Sequence, residues 1–229
     1  MSAPEARLDL QRRQRLGMVE AVWGEHKSAD QIAAILQAMH HAGELALVTR
    51  VDPLKAAEVQ ARCPEVQVHA AAACLTLGDL PAADGQPLVA VLSGGTSDRR
   101  VAEEAALALR VHGVRSASFL DVGVAGLHRL LAVLPDLEML PVLIACAGME
   151  GALPTVLAGL VPQPVIGVPV SVGYGVSAGG RAALDGMLAS CAPGLSVVNI
   201  DNGYGAAMAA LRILKSSSCE DSRLQCAGG

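Results

Sequence analysis

The sequence predicts an α/β protein: a three-layer, doubly wound parallel sheet preceded by a smaller α/β domain. Two observations carry this reading. From about Pro87 an apolar, β-rich run, a Gly- or Ser-rich turn and an amphipathic helix follow one another five times. The apolar runs, such as PVLIACA and PVIGVPV, are continuous rather than alternating, which suits strands buried on both faces and therefore a parallel sheet. Strands are expected at 88–92, 116–122, 141–147, 164–170 and 195–200. The helices follow at 97–112, 126–134, 152–160, 179–189 and 206–215.

The first eighty residues show a shorter version of the same alternation. A polar helix at 5–16 precedes VEAVWG, a helix at 29–42, ELALVTRV, a helix at 53–63 and a possible strand in VQVHAAA. Ser28 and Gln31 stand three apart, in the positions of a capping box that starts the second of these helices. PAADGQP, residues 81–87, has the turn composition of a linker. After Lys215, SSSCEDSRLQCAGG lacks periodicity and reads as a mobile tail. The expected division is 1–82, 83–216 and a tail at 217–229.

Composition excludes several classes. The 229 residues are 52% hydrophobic and 17% charged, so the chain can bury a core and is not disordered as a whole. Trp23, Phe119, Tyr174 and Tyr204 are the only Trp, Phe or Tyr residues, so that core is built from Ala, Val, Leu and Ile. A net charge of −5, without a basic block past the first fifteen residues, argues against a nucleic-acid surface. Gly, Pro or a charge interrupts every apolar run before it reaches a membrane span. MSAPEARLDLQRRQRLG lacks the apolar stretch of a secretory signal, and six scattered cysteines without CxxC pairs suit the reducing cytosol.

In a doubly wound sheet, ligands bind outside the carboxyl ends of the strands. Polar and glycine residues gather in the five loops located there. The first holds Gly94, Gly95, Thr96, Ser97 and Asp98, where backbone amides and hydroxyls at a helix start can cradle a phosphate or serve as an ordinary cap. The second holds Asp121 and His128, either a proton-transfer pair or a cap beside a solvated imidazole. In the third, Glu150 follows Gly148 and Met149 and precedes Gly151. Its carboxylate is a candidate base or magnesium ligand. The fourth is long and Gly-rich, with Ser171, Gly173, Tyr174 and Gly175. The fifth holds Asn199, Asp201 and Asn202.

The strings GGTSD, VAEEA, DVGVAGLHRLL, AGMEGALPTVLAGLV, PVIGVPVSVGYG, MLASCAPG and VVNIDNGYGAA together resemble the LarB-type family over nearly all of 87–214. Upstream, Arg12, Arg15, Gly17, Glu20, Gly24 and Lys27 are similar to that family's arginine- and glycine-bearing motif, with Val19, His26 and Ser28 as departures. AGMEGALPTVLAGLVPQPVIGVPV also resembles aminoimidazole ribonucleotide carboxylases of the PurE type, a flavodoxin- or Rossmann-like fold, with Ala152 where those enzymes carry histidine.

The resemblance implies an enzyme of nickel-pincer nucleotide biosynthesis. It would carboxylate the pyridinium ring of nicotinic acid adenine dinucleotide with CO2 or bicarbonate and hydrolyse the phosphoanhydride, releasing AMP. Magnesium would accompany the diphosphate. Cys191, in the matched SCA string, is the implied nucleophile, with Glu150, Asp121 or His128 accepting the ring proton and Lys27 reaching a phosphate. Cys191 follows a helix that runs away from the five loops, so either that helix is short and its end folds back or the cysteine enters a neighbouring subunit's site. The second is expected, because the resemblance to PurE-type domains implies a closed homo-oligomer with shared sites. The rival readings are an aminoimidazole ribonucleotide carboxylase or mutase and a nucleotide-binding relative without activity.

Overall fold

The computed structural model describes residues 8–82 and 84–227, with side chains through 216. The chain divides into two compact units, Met1–Ala83 with Arg110–Gly113, and Asp84–Leu109 with Val114–Gly229. No helix among the described residues is long and apolar enough to cross a membrane.

The first unit runs α1 (Arg12–Leu16), β1 (Ala21–Trp23), α2 (Ala29–His41), β2 (Ala46–Thr49), α3 (Pro53–Arg62), β3 (Gln67–His69) and β4 (Cys74–Leu77). The expected start of α1 at Glu5 lies outside the described residues. The capping box forms: Gln31 N donates to Ser28 Oγ at 3.2 Å, and Ser28 N donates to Gln31 Oε1 at 3.0 Å. The sheet order is β1-β2-β4-β3, parallel only between β1 and β2. The sequence reading missed β4. Residues 70–73 are four alanines, and the turn they make ends on Ala73 at φ +51°, a conformation usually signalled by glycine. Ile32, Leu36, Val48, Val59 and Leu75 are fully buried at the centre of this unit.

The second unit runs β5 (Val89–Ser93), α4 (Arg99–Val111), β6 (Ser116–Phe119), α5 (Leu127–Leu137), β7 (Val142–Ala147), α6 (Ala152–Ala158), β8 (Val165–Pro169), α7 (Arg181–Leu188), β9 (Ser196–Val197) and α8 (Gly203–Ala227). All five strands are parallel, in the order β6-β5-β7-β8-β9. The three inner strands match their predicted bounds closely. The edge strands β6 and β9, which pair on one side only, are shorter than predicted. The last helix continues to Ala227 rather than ending near Lys215, because no Gly or Pro interrupts 206–227.

Both faces of the sheet are covered. Ala90, Leu92, Leu143, Ala145 and Val165 pack against Leu130 and Leu137 of α5, Leu153 and Leu157 of α6, and Ala183 and Met187 of α7. The alternate residues Val91, Ile144, Cys146 and Val168 are equally buried and face the other way. On that side the start of α8 lies against α4, so closely that a Cβ on Gly203 would sit 2.4 Å from Val101 O. The buried Glu104 accepts from Tyr204 N at 2.9 Å, placing a carboxylate at the amino end of α8 where the helix dipole favours it.

Candidate active site

The chain leaves β5 outward to β6 and then crosses back to β7, so successive loops diverge at the carboxyl ends of β5 and β7. Such a switch point opens a crevice. A cleft of about 500 Å³ lies there, lined by the loops after β5, β6, β7 and β8. Its side chains include Ser97 and Asp98 from the first loop, Asp121 and Arg129 from the second, Met149 and Glu150 from the third, and Tyr174 from the fourth.

Backbone packing forms its floor. Cβ atoms added to Gly123, Gly148 and Gly173 would lie 2.3 Å from Gly94 O, 2.3 Å from Val172 O and 2.4 Å from Ser177 O. These glycines are needed for close approach between loops. Asp121 and Met149 each sit just past a strand at positive φ, +60° and +55°. Asp121 N donates to the buried Ser93 Oγ at 3.1 Å, tying the second loop to the end of β5.

Asp98 joins the first and third loops. Its Oδ2 accepts from Gly95 N at 2.8 Å and its Oδ1 from Gly148 N at 3.0 Å, while the residue is only 6% exposed. The phosphate cradle expected at Gly95–Asp98 is therefore closed at the Gly95 amide by the chain's own carboxylate. Burial pushes the Asp98 carboxyl above its ordinary value; the two amides oppose that shift, and the nearby Asp201 and Glu150 carboxylates reinforce it.

A carboxyl raised on folding binds its proton more tightly in the native state, so its contribution to stability falls as pH rises from the ordinary value through the raised one. Asp98→Asn keeps one acceptor for the two amides. It is expected to cost about 1–3 kcal/mol near pH 4, with a gap to wild type that narrows as pH rises. Denaturant titrations across pH measure this, and a gap that widened with pH would contradict it.

Several expected site residues stand elsewhere. His128 is exposed and does not line the cleft; the partner of Asp121 is Arg129, whose Nη1 is 2.5 Å from Oδ2. The Asp121–His128 pair is thus replaced by an Asp121–Arg129 pair. The fifth loop does not enter the cleft either. Asp201 Oδ1 accepts from Ser171 N at 2.9 Å, Asn202 Oδ1 accepts from Gly205 N at 2.8 Å at the start of α8, and Asn199 Oδ1 accepts from Ile200 N at 2.8 Å. These side chains brace loops. Thr96, Ser171 and Gly175 are also absent from the lining. Lys27, in the first unit, donates from Nζ to Trp23 O at 3.2 Å.

Arg129 escaped the sequence reading although a signal was present. It is the third residue of α5, where the helix dipole disfavours a cation. Its Nε is buried with no hydrogen-bond partner among the described residues, an arrangement that costs about 1–3 kcal/mol.

Of the four cysteines with described side chains, Cys63, Cys74 and Cys146 are buried and Cys191 is exposed. Burial pushes the Cys146 thiol far up, which removes it as a thiolate although it immediately precedes the cleft-lining Ala147. Cys191 lies between the end of α7 and the start of β9. Helix α7 begins beside the carboxyl end of β8, where a Cβ on Gly180 would meet Val170 O at 3.0 Å. It runs back along the sheet, so Cys191 sits at the amino edge of the strands, outside the cleft lining.

Residues 2–79 match the LarB/PurE-like N-terminal domain family and residues 88–225 the AIR carboxylase family. An uncharacterized protein of Methanocaldococcus jannaschii is 37% identical over 217 residues, covering 91% of this chain and 84% of that protein. The N5-carboxyaminoimidazole ribonucleotide mutase of the same organism is 35% identical over 134 residues, 56% of this chain and 78% of the mutase. A Treponema denticola PurE2 variant structure aligns with a TM-score of 0.44 at 21% identity, covering 62% of this chain and 96% of its own. Ala152 opens α6 and lines the cleft. With an amino-terminal LarB/PurE-like domain followed by an AIR carboxylase domain, the chain belongs to the LarB-type family of PurE-like enzymes.

Proposed function

We propose that this chain carboxylates the pyridinium ring of nicotinic acid adenine dinucleotide and hydrolyses its phosphoanhydride. The products are pyridinium-3,5-biscarboxylic acid mononucleotide and AMP. The observation that carries this reading, within the family, is the charge of the cleft. Asp98, Asp121 and Glu150 line it with Arg129 as the one cation, a lining that suits a cationic ring bearing a carboxylate. A neutral aminoimidazole has less use for it.

A pyridinium ring is electron-poor and does not attack CO2. Addition of the Cys191 thiolate at the para carbon gives a dihydropyridine whose enamine carbon is nucleophilic. That carbon forms the new C–C bond to CO2 and then loses its proton. Cleavage of the C–S bond returns the electron pair to sulfur and restores the aromatic cation. No oxidant is needed, because a ring C–H and CO2 become a ring carboxylate and a proton. Glu150 is the proposed proton acceptor: it lines the cleft, is exposed, and accepts no hydrogen bond among the described residues.

Cys191 stands at the opposite edge of the sheet from its own cleft. We therefore place it in the cleft of a second copy, within a homo-oligomer with shared sites. Water then cleaves the P–O–P linkage.

Among the described residues no three His, Cys, Asp or Glu side chains converge as a metal site. Magnesium held chiefly by phosphates and water needs only one or two carboxylates, so Asp121 and Glu150 fit it through water. Its contribution would be to neutralise diphosphate charge.

Purified chain incubated with the dinucleotide, magnesium and bicarbonate is expected to release AMP and a product heavier by one carboxyl group, read by mass spectrometry. Absence of both would reject the proposal. The second reading, an aminoimidazole ribonucleotide mutase, draws on the identity to the mutases; turnover of that nucleotide at a rate exceeding the dinucleotide's would establish it instead.

A further inference from the structure

Arg129 is the one cation among the side chains that line the cleft. Its guanidinium is held from two sides. Asp121 Oδ2 lies 2.5 Å from Nη1, and Gly126 lies so close to Nε that a Cβ there would come within 2.6 Å. Nε is buried without a partner among the described residues, while the side chain as a whole is 37% exposed. The second N–H of Nη1 and both of Nη2 thus remain to meet a ligand in a fixed orientation.

We infer that Arg129 recognises the carboxylate on the substrate's heteroaromatic ring and selects for it over a neutral carboxamide or a bare ring. The inference deepens the proposed function and rests on it for the choice of ring. A planar monoanion matches the guanidinium fork and balances one cation. A multiply charged phosphate at the same place would meet the carboxylates of Asp98, Asp121 and Glu150 with Arg129 as the one protein cation and would need magnesium besides, whereas the ring monoanion needs no second cation. Gly126 serves this geometry, since any side chain there would push the guanidinium away.

The test is calorimetric titration of the full chain with two ligand pairs. One pair is nicotinic acid adenine dinucleotide and nicotinamide adenine dinucleotide, which share the diphosphate and differ in ring charge. The other is carboxylated and uncarboxylated aminoimidazole ribonucleotide. Wild type is expected to prefer the carboxylated member of the first pair. Arg129→Gln should reduce that preference by roughly tenfold or more, leaving affinity for the carboxamide unchanged. Gly126→Ala keeps the charge and has a negative φ, −118°, and the nearest atoms its Cβ would meet are those of the guanidinium, so it should reduce the preference by displacing that group. Arg129→Lys should keep part of it.

Equal weakening of both members by Arg129→Gln would assign the residue to phosphate or to structure and overturn the inference, as would no effect. Should the dinucleotides not bind while the imidazole pair shows an Arg129-dependent preference, the dinucleotide reaction fails and the inference stands. No carboxylate preference in either pair overturns it.

Discussion

Replacing Cys191 by alanine is expected to abolish carboxylation, a loss on the order of 10⁴-fold or more if the thiolate is the covalent nucleophile. Folding should be untouched. The side chain is exposed in the turn between α7 and β9, and surface changes of this kind usually shift stability by no more than about 0.5 kcal/mol. Wild type should show a ring–cysteine adduct by mass spectrometry that the variant lacks. Subunit mixing tests where the sulfur acts. Cys191→Ala keeps a complete cleft with Glu150, and Glu150→Gln keeps the sulfur. If each cleft takes its sulfur from a second copy, mixing the two inactive variants should restore part of the activity. An active Cys191→Ala enzyme would remove the thiolate mechanism, and failure to complement would remove the shared site.

The second unit was legible because its strands are sandwiched on both faces. Runs such as VLIACA at β7 have no polar residue to confuse their period, and the rule that ligands sit past strand ends then points to the edge of the sheet where the cleft lies. The rule does not say which loops turn inward. Asp201 and Asn202 read as substrate-binding residues beside Glu150, yet Asp201 braces Ser171 N and Asn202 accepts from Gly205 N at the start of α8. Partnerships of this sort depend on backbone amides brought close by the fold, and amides carry no mark in a sequence. Arg129 was hidden for the opposite reason. Its partner Asp121 lies eight residues earlier across a loop, where no regular element relates the two positions, so a cation at a helix start was the one local signal. In the first unit, β4 was lost because its turn is made of alanines.

Gly148→Ala is expected to have a large structural effect for a single methyl added to the cleft, of the same order as one at Gly123. Its Cβ would lie 2.3 Å from Val172 O and 3.1 Å from Asp98 Oδ1. The first contact is with backbone, which cannot rotate away, and the second is with the carboxylate that accepts from the same residue's amide. The third and fourth loops must separate, and Met149 N, which donates to Val172 O at 3.1 Å, moves with them. Overpacking of this kind costs about 1–3 kcal/mol. Thermal melts should show a lowered midpoint, and calorimetry should show dinucleotide binding lost. Gly95→Ala is the paired control: its Cβ would meet only Asp98 Oδ2, at 3.7 Å, an ordinary contact, and its φ of −133° suits alanine. It adds the same methyl to the same cleft and should leave the midpoint unchanged. If both variants left the midpoint unchanged, the cleft would be tolerant of side chains in general. The close approach of backbone to backbone at Gly148 would then not be what holds its walls.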